Sequence, residues 1–180
     1  MTKRLFTILT IILSTVMISA QVQAQPTRAG TNLNSKSINS AVLQLVEPDE
    51  VGRIRQLMID GRKNDALVAA EKYVAEVERV LLPHESLKKY YAYNAYCTVL
   101  TSHGHVEEAI SACSTAMSLE PAKWSAVNNR GTANLVGGRI EDALQDYNAA
   151  LSMVEEGNSN AQDTILHNIM LAEERQGSLN

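Results

Sequence analysis

Gly104-His-Val-Glu-Glu-Ala-Ile110 and Gly138-Arg-Ile-Glu-Asp-Ala-Leu144 superimpose without a gap. Gly61-Arg-Lys-Asn-Asp-Ala-Leu67 falls on the same frame. Each is a glycine, four residues ending in an acid, then Ala and an aliphatic. The steps between the glycines are unequal: longest from Gly61 to Gly104, shortest from Gly104 to Gly138, and intermediate from there to Gly177. Apolar residues recur at helical spacing on both sides of each glycine. The glycine ends one helix, because a left-handed conformation costs it little. The acid then lies in the first turn of the next helix, where it complements the dipole. The small Ala lets the two helices approach closely. Pro121 stops the second helix of the middle unit. Units of this kind are too small to fold alone and must stack.

On these residues the chain resembles the tetratricopeptide (TPR) family, whose repeat length of about 34 residues equals the step from Gly104 to Gly138. In Tyr90–Lys123, Tyr93 and Tyr96 take first-helix apolar positions and Cys97 the small one. Leu100 stands where the family usually has Tyr. Gly104 is the turn, Ala109, Cys113 and Ala116 match the second helix, and Pro121 closes the unit. Trp124–Gly157 matches at Val127, Gly131, Gly138, Ala143, Tyr147 and Ala150, and departs at Arg130 and Glu155. The first unit keeps Gly61 and Ala66 but has Tyr73 at the later Ala position; its second helix should run to Leu82, before Pro83.

The resemblance spans residues 49–177. It implies an all-α fold: a short right-handed superhelical stack of antiparallel hairpins. The expected repeats are 47–85, 90–123 and 124–157, followed by a capping helix over 163–176 after a long loop from Glu155 to Gln162. Seven helices follow from that reading.

The flanking sequence sets the compartment. Met1-Thr-Lys-Arg4 is basic, Leu5 to Ala20 is apolar and uncharged, and Val22-Gln-Ala24 fits a cleavage site. Residues 1–24 therefore read as a signal peptide cut after Ala24. The apolar run would extend about 24 Å as a helix, short of the roughly 30 Å of hydrocarbon. No stable membrane insertion is expected after its removal. Residues 25–46 read as a flexible leader, and 47–180 as the repeat domain. The expected location is periplasmic or secreted.

The chain has 180 residues, 20 acidic against 16 basic, and a net charge of −4. Removing Lys3 and Arg4 makes it more acidic still. An acidic domain is poorly suited to nucleic acid, whose phosphates must be neutralised.

Cys97 and Cys113 are the only cysteines. One lies seven residues before Gly104 and the other nine after it, at nearly the same height in an antiparallel hairpin. A disulfide and a pair of buried thiols both fit that placement. The chain also resembles small secreted bacterial TPR proteins with cysteines at these two helix positions, which implies a structural pair.

No constellation supports catalysis, a cofactor or a metal. His103 and His105 flank Gly104, but two ligands at a turn tip need others. Arg130, replacing a buried Leu, should snorkel or pair with an acid. Tyr93 and Tyr96 should be core, and Trp124 a packing anchor between hairpins.

The family binds ligands along the groove lined by the first helix of each hairpin. Carried over by position, that face holds Tyr91, Asn94, Thr98, Ser125, Asn128, Asn129, Thr132, His167 and Asn168. These are the candidate peptide-binding residues; the competing reading of the Asn positions is that their amides support neighbouring helices. Asn129 and Asn168 match the Asn of the family's carboxylate clamp. Tyr91, Ser125 and Thr164 stand where its basic residues would be, which disfavours a clamp. The expected function is a non-enzymatic adaptor for a protein or peptide in the bacterial envelope. The alternative is a self-associating scaffold module, a homo-oligomer.

Overall fold

The computed structural model describes residues 48–80 and 85–178. The signal and leader expected over 1–46, and Leu82, Pro83 and His84, lie outside the described residues. Seven helices and no strand occur among those described: α1 Asp49–Ile59, α2 Lys63–Val80, α3 Ser86–His103, α4 Val106–Leu119, α5 Trp124–Val136, α6 Ile140–Ser152 and α7 Ser159–Gly177.

The three repeated glycines build the same turn. Gly61, Gly104 and Gly138 have φ of 75°, 78° and 77°. After each, an N–H reaches back five residues: Arg62 to the Leu57 carbonyl at 2.9 Å, His105 to Leu100 at 3.0 Å and Arg139 to Asn134 at 2.9 Å. A side chain at such a positive φ would be strained, which explains glycine at these sites. Acids follow in the first turns of α2, α4 and α6. Gly177 differs: it is the last residue of α7 and has no positive φ.

Consecutive helices pack on one another, and α1, α3, α5 and α7 also touch in series. They form a first-helix layer with α2, α4 and α6 against it. Ala66, Ala109 and Ala143 are completely buried, as the short Gly-to-Ala spacing predicts. Gly131 allows an equally close approach. A Cβ there would lie 2.8 Å from the Tyr147 ring, inside contact distance. At the turn edge the units are tied together. Lys63 donates to the Ser102 carbonyl at 3.1 Å, and Arg175 to the Leu135 carbonyl at 3.0 Å. Arg139 pairs with Glu107 across the same edge.

Two local expectations change. The last helix begins at Ser159, not 163, because the Asn158 side chain accepts the Ala161 N–H at 3.2 Å and caps it. That cap draws four residues of the expected loop into helix. Tyr93 and Tyr96 are only half-buried, whereas Tyr90 is 1% exposed. Arg130 does find its acid. It donates to Asp146 through Nε at 3.0 Å, and Asn134 donates to the same carboxylate at 3.0 Å.

Cys97 and Cys113 are joined as a disulfide, with Cα atoms 5.2 Å apart. Both are completely buried between α3 and α4. The bridge closes a loop of 16 residues' separation. Chain-entropy arguments give such a loop about 3 kcal/mol. Cys97→Ser should therefore lower unfolding free energy by about 2–4 kcal/mol, read from urea midpoints of non-reduced protein. A midpoint unchanged by both the substitution and reduction would remove this role.

Candidate functional site

The nine candidate residues divide into three groups. Asn94, Thr98, Asn128, Asn129, Thr132 and Asn168 are buried, each no more than 3% exposed. Most of their polar atoms bond to one another or to the backbone, while Asn168 Oδ1 is buried without a hydrogen-bond partner among the described residues. Asn129 Nδ2 donates to Asn94 Oδ1 at 3.0 Å, and Asn168 Nδ2 donates to Asn128 Oδ1 at 2.8 Å. Asn128 Nδ2 lies 3.5 Å from Asn129 Oδ1, a longer contact that joins the two pairs. The result is an amide ladder across α3, α5 and α7. Thr98 and Thr132 bond back to carbonyls four residues earlier, and Thr132 also meets the Tyr147 hydroxyl at 3.2 Å. Buried amides must be paired or they cost about 1–3 kcal/mol each. These residues join the helices of the first layer, and all six are buried beneath the surface a ligand would meet.

Tyr91 and Ser125 are half-buried and lie at the other end of α3 and α5. They share a cavity of about 290 Å³ with Tyr90, Lys123, Trp124 and Met153. The Tyr90 and Tyr91 rings meet edge to face, centroids 5.4 Å apart. Lys123 Nζ stands 5.7 Å from the Tyr90 centroid, within reach of a cation–π contact. The Tyr90 hydroxyl lies 2.5 Å from Ser125 Oγ. That contact ties α3 to the start of α5. Trp124 packs on the core of α5–α7 while remaining partly accessible, so it is both anchor and wall.

This cavity suits recognition of one or two side chains. Its size is at the lower end of ligand sites; its walls are aromatic and thioether, and Lys123, Glu155 and Asn158 add a cation, a carboxylate and an amide to the lining. A larger groove of about 480 Å³ lies between α1 and α2. Its mouth mixes Arg53, Arg62 and Lys72 with Glu50, Asp65 and Glu76, and it holds none of the candidate residues.

His167 is exposed on α7, away from the ladder. His103 Nε2 donates to the Lys63 carbonyl at 3.0 Å and joins two turns. Among the described residues no cluster of three or more His, Cys, Asp or Glu is placed to hold a metal ion, and no helix is long and apolar enough to cross a membrane. Sequence reasoning missed Tyr90, Lys123 and Met153. The spacing of Tyr90 to Ser125, close to one repeat, was the available signal.

The geometry is that of an all-helical repeat. No family model matches the chain. It is 32% identical over 114 residues to a protein named DnaJ homolog subfamily C member 3 from Rattus norvegicus. The match covers 62% of this chain and 20% of the relative, so it spans about a fifth of that protein's length.

Burial holds the Tyr90 phenol up at about 12, against an ordinary value of 10.0; the Ser125 bond works weakly the other way. Burial, helped by Glu50 and Glu76, also raises Tyr73 to about 12. The unfolded chain therefore loses these protons first as pH rises. Their contribution is intact below about pH 10 and is lost between pH 10 and 12. Urea midpoints should fall over that window, by on the order of 2 kcal/mol for Tyr90. Tyr90→Phe should flatten the fall; an equally steep fall in that variant would refute the assignment.

Proposed function

We propose that the chain is a non-catalytic protein- or peptide-binding module, exported and housed in a bacterial envelope or secreted. Its helical hairpins form a right-handed superhelical stack. The partner inserts an apolar or aromatic side chain between Tyr91 and Trp124, and Lys123 and Ser125 orient the adjoining backbone. The observation that carries this reading is the convergence of partly accessible aromatic walls on one cavity, on two helices locked together by buried amides. Aromatic anchors in such cavities dominate binding energies at protein interfaces. The similarity to the rat protein supports an interaction module of this type. The Cys97–Cys113 bridge supports an oxidising compartment, as does the signal-like segment at residues 1–24.

The test is a photo-crosslinker placed at position 91 in exported protein, with a second at Glu108 on the outer helix. Position 91 should give a discrete partner adduct that Trp124→Ala weakens at least tenfold. Adducts that arise equally from position 108, or that ignore Trp124→Ala, would move binding away from this cavity.

A further inference from the structure

Counting back from Gly104, Gly138 and the helix-ending Gly177 gives α3, α5 and α7 a common register. Eleven residues before Gly104, Gly138 and Gly177 stand Tyr93, Val127 and Leu166. Seven residues before them stand Cys97, Gly131 and Met170. In the α3–α4 and α5–α6 hairpins the second set faces the following helix. Cys97 is bonded to Cys113 of α4, and Gly131 lies against Tyr147 of α6. On α7 the same positions are open: Leu166 is 50% and Met170 53% exposed.

The opposite side of α7 is already used. Ala161, Ile165, Asn168 and Ala172 are buried, and α7 packs on α6 and α5. The exposed residues Asp163, Leu166, His167, Met170, Glu173 and Glu174 recur at three- and four-residue steps. They therefore form one face. Its centre holds Leu166 and Met170 with His167 beside them, both ends are acidic, and none of its exposed residues is Lys or Arg.

We propose that this face accepts one amphipathic helix of another protein, antiparallel to α7, with an apolar stripe and basic residues at its flanks. The incoming helix occupies the place that α4 and α6 occupy on α3 and α5. The charges select the occupant. A second copy of α7, paired antiparallel about residue 168, would bring Asp163 opposite Glu173, like charge against like. A helix with basic flanks meets acids at both ends, and such complementarity governs choice of partner. This surface is separate from the Tyr91–Trp124 cavity and stands whether or not that cavity binds anything.

The probe is a synthetic helical peptide as long as α6, with apolar positions copied from α6 and lysines elsewhere; a control carries glutamates in place of the lysines. Binding to the whole chain is read by fluorescence anisotropy, and circular dichroism checks that each variant is folded. The lysine peptide should bind at least tenfold more tightly than the glutamate peptide, and more weakly as salt rises. Leu166→Glu and Met170→Glu should each weaken it at least fivefold, while Tyr91→Ala leaves it unchanged. Equal binding of both peptides, indifference to Leu166→Glu and Met170→Glu, or no binding at all would overturn the proposal. So would a sedimenting dimer that Met170→Glu dissociates, which would assign the face to a second copy.

Discussion

Buried amides must find partners, and the arrangement of α3, α5 and α7 is organised around that requirement. Asn129 donates to Asn94 and Asn168 to Asn128, which links three helices far apart in sequence and leaves Asn168 Oδ1 as the one amide atom of the ladder buried without a partner among the described residues. A one-residue slip of any of these helices would leave amide groups unpaired in the interior, at about 1–3 kcal/mol each. Apolar contacts tolerate such slips more easily, because they are not directional. The ladder therefore fixes helix register, and the alanines and Gly131 set how closely the second helices approach. The cavity depends on this register. Tyr91 lies one turn from Asn94 on α3, and Ser125 one turn from Asn128 on α5. Rungs that align the amides also align Tyr90 with Ser125 and bring Tyr91 toward Trp124.

The disulfide and the turn-edge bonds act on a different freedom. Cys97–Cys113 pins α3 to α4 within one unit. Lys63, Arg139 and Arg175 join one unit to the next at the turn edge. The one exposed ion pair among these, Arg139 with Glu107, contributes little by itself. Arg130 with Asp146 is different, since the carboxylate is buried and also held by Asn134. Removing the arginine would leave that buried charge with Asn134 as its remaining side-chain donor among the bonds described. The departure at Arg130 is thus one half of a matched pair.

Much of the fold was legible in the sequence because its turns carry a unique chemical demand. Only glycine accepts the left-handed backbone of these turns cheaply, so Gly61, Gly104 and Gly138 announce three hairpins. The buried alanines follow by counting. The site was harder to read. Asn at a first-helix position looks the same whether it lines a groove or bridges two helices, because both uses need the same donor and acceptor. Burial decides between them, and burial is a property of the stack. Tyr90 was hidden by its three tyrosine neighbours, and the start of α7 by a cap that works through one side-chain bond from Asn158. The open positions on α7 could have been found by counting back from Gly177.

The central claim is that the amides serve the fold and leave recognition to the aromatic cavity. Side-chain amide hydrogen exchange, followed by NMR, tests it most directly. The Nδ2 protons of Asn129 and Asn168 should exchange far more slowly than those of an exposed asparagine such as Asn64, and partner binding should leave them unmoved. Exchange at the rate of the exposed residue, with resonances that shift when a partner binds, would return these amides to the ligand and contradict the account.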